Sequence, residues 1–291
     1  MKLALFNGNK LGVVTAGMDD QIVDVTDALP WPHDPDPLTA GWWRALCRDF
    51  DQVRPALERA AATGVAHPIA ETSLQAPVLG PSKIIAAASN YREHVAEMHD
   101  VQQRTLGQVE PWMMEFDVFL KASSSIVGPG ASIVLPTEIL AAGQEIHHES
   151  ELVVVMGSGG KNIPVESALE HVLGFTTGLD ITVRSPADRS RRKSYDSFSP
   201  VGPWIVTRDE VGDGSGLDIL LTSDGEVRQS VNTDDLIVSV PQIIAYASSV
   251  MTLLPGDLLF TGAPPGVGPI ALGEELHMRI ERIGEMRVQV R

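Results

Sequence analysis

Glu149, Glu151 and Asp180 are the residues of this chain whose types and spacing most invite chemistry. In Glu149-Ser150-Glu151-Leu152-Val153-Val154-Val155 the valines predict a strand, and on a strand residues i and i+2 share a face. Two carboxylates side by side against an apolar run repel each other and lose hydration, a cost that a cation relieves. Asp180 closes a second largely apolar stretch, Val172 to Leu179, and can supply a third oxygen. Hard oxygen donors without cysteine favour Mg²⁺ or Mn²⁺, with Ca²⁺ also compatible, over structural zinc. A Glu-x-Glu pair also suits a solvated edge strand, but apolar sequence flanks all three acids and tips the reading towards a catalytic metal site.

Other reactive residue types gather around this core. His94 and Glu97 stand at i and i+3 in a short helix that opens after Asn90-Tyr91. There the carboxylate can hold the imidazole as a general base towards water, or the two can form a plain surface ion pair. Lys193, within Arg191-Arg192-Lys193-Ser194-Tyr195-Asp196, could stabilise an oxyanion, bind a substrate carboxylate, or belong to a solvated basic loop. Arg184 is a candidate carboxylate clamp through its two-pronged fork. The Gly/Pro-rich run Thr261 to Gly268 is either a close approach to a small anion or a plain turn. It lacks the Gly-Lys-Ser/Thr ending of a phosphate loop, so nucleotide binding is not expected. His147 and His148 adjoin the glutamates, but adjacent strand residues face opposite ways, and neither is assigned as a ligand.

The elements that must position these groups are mostly strands. Residues 1–30 read as a small meander, followed by a helical stretch from Ala40 to Thr63 that Pro55 should interrupt or restart. Gln75 to Pro81 reads as a linker, which divides the chain into a small N-terminal α+β domain (1–75) and a main catalytic body (82–291). In the main body Lys83 to Ala88 predicts a strand, and Arg92 to Met98 a short helix. Asp224-Gly225 marks a hairpin turn, Pro241 to Leu253 a helix, and Pro255-Gly256-Asp257 a turn into Leu258 to Phe260. A last hairpin joins Leu276–Ile280 to Met286–Val290. The fold class expected is mostly β (α+β), a rolled barrel or stacked sheets with short peripheral helices.

The formal net charge of −16 over 291 residues argues against a nucleic-acid partner and against simple attraction to an anionic membrane. An anionic substrate would need a local positive site. The single cysteine, Cys47, precludes an internal disulfide and, in a helical context, reads as a structural thiol in a reducing compartment. Neither a signal peptide nor a transmembrane run is apparent, so a soluble, cytoplasmic protein is expected.

Taken together the motifs resemble the fumarylacetoacetate hydrolase superfamily, in its acylpyruvate hydrolase and 2-oxo-hepta-ene-dioate isomerase-like branch. The likeness runs over residues 82–291, more weakly over 1–75. It is carried in order by Asn90-Tyr91-x-x-His94-x-x-Glu97, Phe119-Leu120-Lys121 before Ser125-Ile126-Val127-Gly128-Pro129, and Glu149-x-Glu151. It continues in Gly178-Leu179-Asp180, Lys193-Ser194-Tyr195-Asp196 with Pro200-x-Gly202-Pro203-Trp204, and Leu254-Pro255-Gly256-Asp257 through Thr261-Gly262-x-Pro264. The resemblance implies a twisted β-roll core, often paired into a homodimer, with Mg²⁺ or Mn²⁺ on Glu149, Glu151 and Asp180. It also implies a His94–Glu97 dyad on a lid helix that activates water, Lys193 at the oxyanion, and Tyr91, Lys121, Arg184, Thr261 and Gly262 around the substrate. The activity implied is hydrolysis of a carbon–carbon bond in a 2,4-dioxo acid, as in the breakdown of aromatic compounds. Hydroxide attacks the distal carbonyl, and a pyruvate-like enolate leaves with its charge stabilised by the metal. Decarboxylation, hydration or isomerisation of 2-oxo acids would use the same centre, and a non-catalytic metabolite-binding homologue is a further alternative. Two departures touch substrate orientation: Arg184-Ser185-Pro186-Ala187 stands where many relatives have Arg-Asp-x-Gln, and Ala263 where they have threonine.

Overall fold

A computed structural model of the protein describes residues 1–15, 20–109 and 111–291. Residues 16–19 of the expected N-terminal meander and residue 110 of the expected lid segment lie outside the described residues. The fold is mixed α+β, built on three open sheets; none closes into a barrel among the described residues.

The principal sheet runs in the order Ala66–Pro68, Gln21–Asp24, Lys10–Thr15, Lys2–Phe6, Ser199–Thr207, Val172–Leu179, Ser150–Met156, Leu258–Phe260, Ile84–Ala88, Asp117–Lys121. The N-terminal meander is thus an extension of this sheet, with Leu3 opposite Ile205. A five-stranded sheet orders Glu226–Asn232, Asp218–Ser223, Glu275–Ile280, Gly284–Val290 and Ser132–Ile133, and a small one joins Thr182–Val183, Ile146–His148 and Gly268–Pro269. Every residue of Ser150–Met156 is buried, because the strand is covered on both faces. Leu152 and Val154 pack into a core shared with Leu221, Leu276, Met278 and Val288 of the five-stranded sheet. Val153 and Val155 face the other way, onto Trp43, Leu46 and Leu57 of the N-terminal helices. Glu151 continues the row of Val153 on this strand, and Glu149 lies just ahead of it, between Ile146–His148 and Ser150–Met156.

The helical reading needs adjustment: the helix expected from Pro241 to Leu253 runs over Val240–Val250 and ends at Met251, which is extended (φ −141°, ψ 152°). The stretch after Ala40 breaks at Asp49 (φ −107°, ψ 22°) into Gly41–Arg48 and Phe50–Thr63, and Pro55 lies inside the second helix. Burial of Phe50, Val53 and Leu57 along one stripe outweighs the single backbone donor that Pro55 lacks. The helix expected from Arg92 to Met98 continues to Leu106 and stops at Gly107, which takes the left-handed conformation (φ 73°). Continuation buries Val101 and Gln102 beside Met98. Elsewhere local chemistry sets the elements as read. Asp224 and Gly225 both have positive φ in their hairpin turn, and Ser239 and Gln242 form a capping box before Val240–Val250. Cys47 is buried and unbridged, and burial pushes its thiol well above the usual range.

The turn before Leu258–Phe260 is tied by Asp257, which is wholly buried. Its carboxylate accepts from the Leu254 amide at 2.8 Å and the Ser82 hydroxyl at 2.6 Å, and pairs with Lys83 at 2.5 Å. Asp257→Ala should therefore strand Lys83 and two donors at once. A loss of about 3–5 kcal/mol of stability is expected, measured by denaturant unfolding.

Candidate active site

Strand register builds the centre. Ser150 stands opposite Leu179 and Glu151 opposite Gly178. The Asp180 amide donates to the Glu149 carbonyl at 2.8 Å, so the acids that flank the two apolar runs meet at one end of two central strands. One oxygen from each of Glu149, Glu151 and Asp180 lies within 4.8 Å of the others, and all three residues are buried.

Cations attend two of these acids. The Lys193 ammonium donates to Glu149 Oε2 and Asp180 Oδ2, each at 2.6 Å, and to Thr182 Oγ1 at 2.7 Å, which uses its three protons. Arg184 Nη2 reaches Glu149 Oε1 at 2.6 Å, and Lys121 Nζ reaches Asp180 Oδ1 at 2.6 Å and the Phe198 carbonyl at 2.8 Å. Glu151 Oε2 accepts the Gly262 amide at 2.5 Å. Burial makes charge on Glu149 costly, but Lys193 and Arg184 prevail and hold its carboxyl well below the usual carboxylate range. Burial, with repulsion from Asp180 and Glu149, pushes Glu151 well above that range. Burial likewise lowers Lys121, against the pull of Asp180. Three converging hard oxygens, one of them short of positive charge, fit a divalent cation of the Mg²⁺ or Mn²⁺ type.

The cavity beside the carboxylates is walled by Phe119, Glu149, Arg184 and Lys193 from the body and by His94 and Met98 from the helix Arg92–Leu106. Its volume is about 50 Å³, room for a few water-sized groups. Towards its end the helix is tied to the body by Arg104, whose guanidinium pairs with Glu145 at 2.8 Å. Met98 and Val101 form a small cluster with Ala263 and Val267, and Glu97 accepts the Gly266 amide at 3.1 Å. His94 is buried, with Nδ1 at 3.5 Å from Glu97 Oε2, beyond a good hydrogen bond, and that nitrogen has no partner.

The remaining site residues read from sequence stand behind this cavity. Lys121 has its ammonium on Asp180 and is not on the cavity wall. Thr261 Oγ1 donates to the Leu152 carbonyl at 3.0 Å. Gly262 has φ +108°, and a Cβ there would lie 2.7 Å from the Cβ of Asn90, so only glycine lets its amide reach Glu151. Tyr91 is buried, its hydroxyl without a partner, and lines a neighbouring cavity with Asp234, Asp235 and Pro265. Asn90 pins the start of the helix, donating to the carbonyls of Val238 and Thr261 and accepting the Val238 amide. His147 turns to Glu145 and His148 to Gln229, and burial lowers both imidazoles to about 4. The sequence reading missed Arg189, Arg192 and Gln102, all on the cavity wall. A signal was present: Asp188 caps the helix Arg189–Lys193, and Arg189, Arg192 and Lys193 fall at i, i+3 and i+4, one face of a turn.

Comparison with known proteins agrees with this architecture. Residues 83–291 match the family model described as fumarylacetoacetate (FAA) hydrolase C-terminal. A maleylpyruvate hydrolase of Aquipseudomonas alcaligenes is 38% identical, the alignment covering 100% of this chain and 99% of that protein. The crystal structure of maleylpyruvate hydrolase from Sphingobium sp. SYK-6 in complex with manganese(II) ion and pyruvate superposes with a TM-score of 0.85 at 39% identity, covering 100% of this chain and 98% of the other. A mitochondrial oxaloacetate tautomerase of Homo sapiens is 37% identical over 75% of this chain and 69% of its own. Among the described residues no helix is long and apolar enough to cross a membrane. With a family model matched along its main body and a relative aligned from end to end, the chain belongs to the fumarylacetoacetate hydrolase family.

Proposed function

We propose that the protein is a metal-dependent hydrolase that cleaves the carbon–carbon bond of an acylpyruvate, releasing pyruvate and a carboxylic acid. The observation that carries this reading is one cavity in which a buried histidine on the helix Arg92–Leu106 shares the wall with Glu149 of the three-carboxylate centre and with Lys193 and Arg184. Glu149, Glu151 and Asp180 would hold Mg²⁺ or Mn²⁺. When bound, such an ion supplies Lewis-acid stabilisation of negative charge on the 2-oxo acid oxygens. His94 takes the proton from water, with Glu97 orienting the ring as the helix closes. Arg184 orients the anionic head of the substrate by its fork. Lys193 places a positive charge where the oxyanion develops, one of its N–H donors turning to the substrate once its carboxylate partners are otherwise neutralised. Phe119 and Met98 exclude bulk water from the cavity. Tyr91, Lys121, Thr261 and Gly262 support these groups.

The same reading includes a homodimer, a cytoplasmic location and a folding division between residues 1–75 and 82–291. The family match beginning at residue 83 supports that division, although the two parts share one sheet. Sedimentation velocity would distinguish the 31.3 kDa chain from its double.

The test is to give metal-loaded protein a panel of acylpyruvates, maleylpyruvate first, and oxaloacetate, with and without chelator, and to identify products by mass. Chelator-sensitive release of pyruvate and a carboxylic acid is expected. CO₂ from oxaloacetate alone, or isomerisation without cleavage, would sink the hydrolase reading and favour the decarboxylase, hydratase or tautomerase alternatives, which the tautomerase relative keeps in view. Ligand binding with no turnover of any compound would leave a metabolite-binding homologue.

A further inference from the structure

Arg192 is a buried cation that makes no direct ion pair among the described residues. Its side chain is 8% exposed and lines the cavity beside Glu149, Arg184 and Lys193. The other cations of the centre are spent on carboxylates, Arg184 and Lys193 on Glu149 and Lys121 on Asp180. Arg192 makes no ion pair with a carboxylate among the described residues, and its Nε has no hydrogen-bond partner. Burial lowers its guanidinium to about 10, with the nearby Arg184 adding repulsion. Arg189, one helical turn earlier, brings a further positive charge to the same wall. Across the cavity, Gln102 of the helix Arg92–Leu106 is 7% exposed and its amide oxygen is also unpartnered. If its amide is turned, the NH₂ becomes a donor into the same space. Glu149 and Asp180 act on Arg192 only at a distance, their oxygens being bonded to Arg184, Lys193 and Lys121, so the buried guanidinium has room for a directly bonded anion.

We propose that Arg192 binds the distal carboxylate of the substrate and selects 2,4-dioxo diacids over acylpyruvates with an uncharged tail. This rests on the acylpyruvate hydrolase reading above, whose head group is already served by Arg184 and the carboxylate centre. The planar fork accepts a carboxylate through two parallel hydrogen bonds, and Gln102 closes over the same group when the helix seats. Such a subsite also accounts for the change from Arg-Asp-x-Gln to Arg184-Ser185-Pro186-Ala187: orientation of the substrate passes from those side chains to the capped turn that follows.

The experiment compares kcat/KM for maleylpyruvate, a diacid, with that for acetylpyruvate, which lacks the second carboxylate, in wild type and Arg192→Met. The diacid-to-neutral ratio should fall roughly 10- to 100-fold in the variant, as expected for loss of a charged hydrogen bond, and mainly through KM. A ratio within about threefold of wild type would overturn the proposal, because Arg192 would then serve the shared pyruvoyl head or the fold alone. Met replaces the aliphatic stem of arginine and removes a buried charge that lacks a direct partner, so the ligand-free variant should melt no lower than wild type. Should it not fold, Arg192→Lys, which keeps charge but loses the fork, is read by the same ratio. Thermal shift of Mn²⁺-loaded protein separates this inference from the parent reading. Maleate should stabilise wild type more than butyrate does, and the difference should vanish in the variant, even if no acylpyruvate is cleaved. Equal shifts by maleate and butyrate in wild type would count against the subsite.

Discussion

Glu151→Gln should bind Mn²⁺ or Mg²⁺ far more weakly than wild type while the metal-free protein remains as stable or becomes more so. Of the three acids, Glu151 has the least compensation: it accepts a backbone amide from Gly262, whereas Glu149 and Asp180 take the centre's ion pairs. Burial and two neighbouring carboxylates already push it towards its neutral form. The amide keeps the volume and an acceptor for Gly262, so it removes repulsion without opening a cavity. A bound divalent ion, in contrast, loses a charged ligand. Losing an outer-shell partner typically costs 10- to 100-fold in affinity, and loss of a direct ligand should exceed that. Titration calorimetry and the chelator-sensitive activity should fall together, and unchanged metal affinity would remove Glu151 from the ligand set. Glu149→Gln provides the contrast. It deprives Lys193 and Arg184 of a shared counter-charge in a buried setting, so the metal-free protein should lose about 3–5 kcal/mol.

His94→Ala should lower kcat by about 10²- to 10⁴-fold, the range for loss of a positioned general base, with metal affinity within about threefold of wild type. His94 lies on the cavity wall that Glu149 also lines. Its Nδ1 is 3.5 Å from Glu97 and otherwise unpartnered, the kind of long contact that shortens when a catalytic complex forms. Rapid-quench measurement of the cleavage step would show whether the defect is chemical. Turnover at the wild-type rate would exclude His94 as the base and move attention to a water held by the carboxylates.

The candidate centre was legible because it is written in short-range patterns. Glu149 and Glu151 share a face by strand periodicity, and His94 and Glu97 share one by helical periodicity. Asp224-Gly225 and Pro255-Gly256-Asp257 are turns for reasons local to those residues. Where the local rule misled, packing had overridden it. Pro55 stays inside a helix because its neighbours bury a common stripe, and the helix from Arg92 runs on to Leu106 because Val101 and Gln102 are covered.

Periodicity and residue chemistry dictate which acids cluster, which face of each element is apolar, and that an acidic chain carries a local knot of basic residues. They are short-ranged, and the chain can be read for them without knowing its path. Which cation meets which anion is different, because Lys121 and Asp180 are separated by 59 positions and Arg184 and Glu149 by 35. Pairing at that separation depends on strand register and on burial, which removes the water that would otherwise make every partner equivalent. Packing alone therefore satisfies Lys121, Lys193 and Arg184 with carboxylates, leaves Arg192 without one, and turns the cationic face of a one-turn helix towards the cavity.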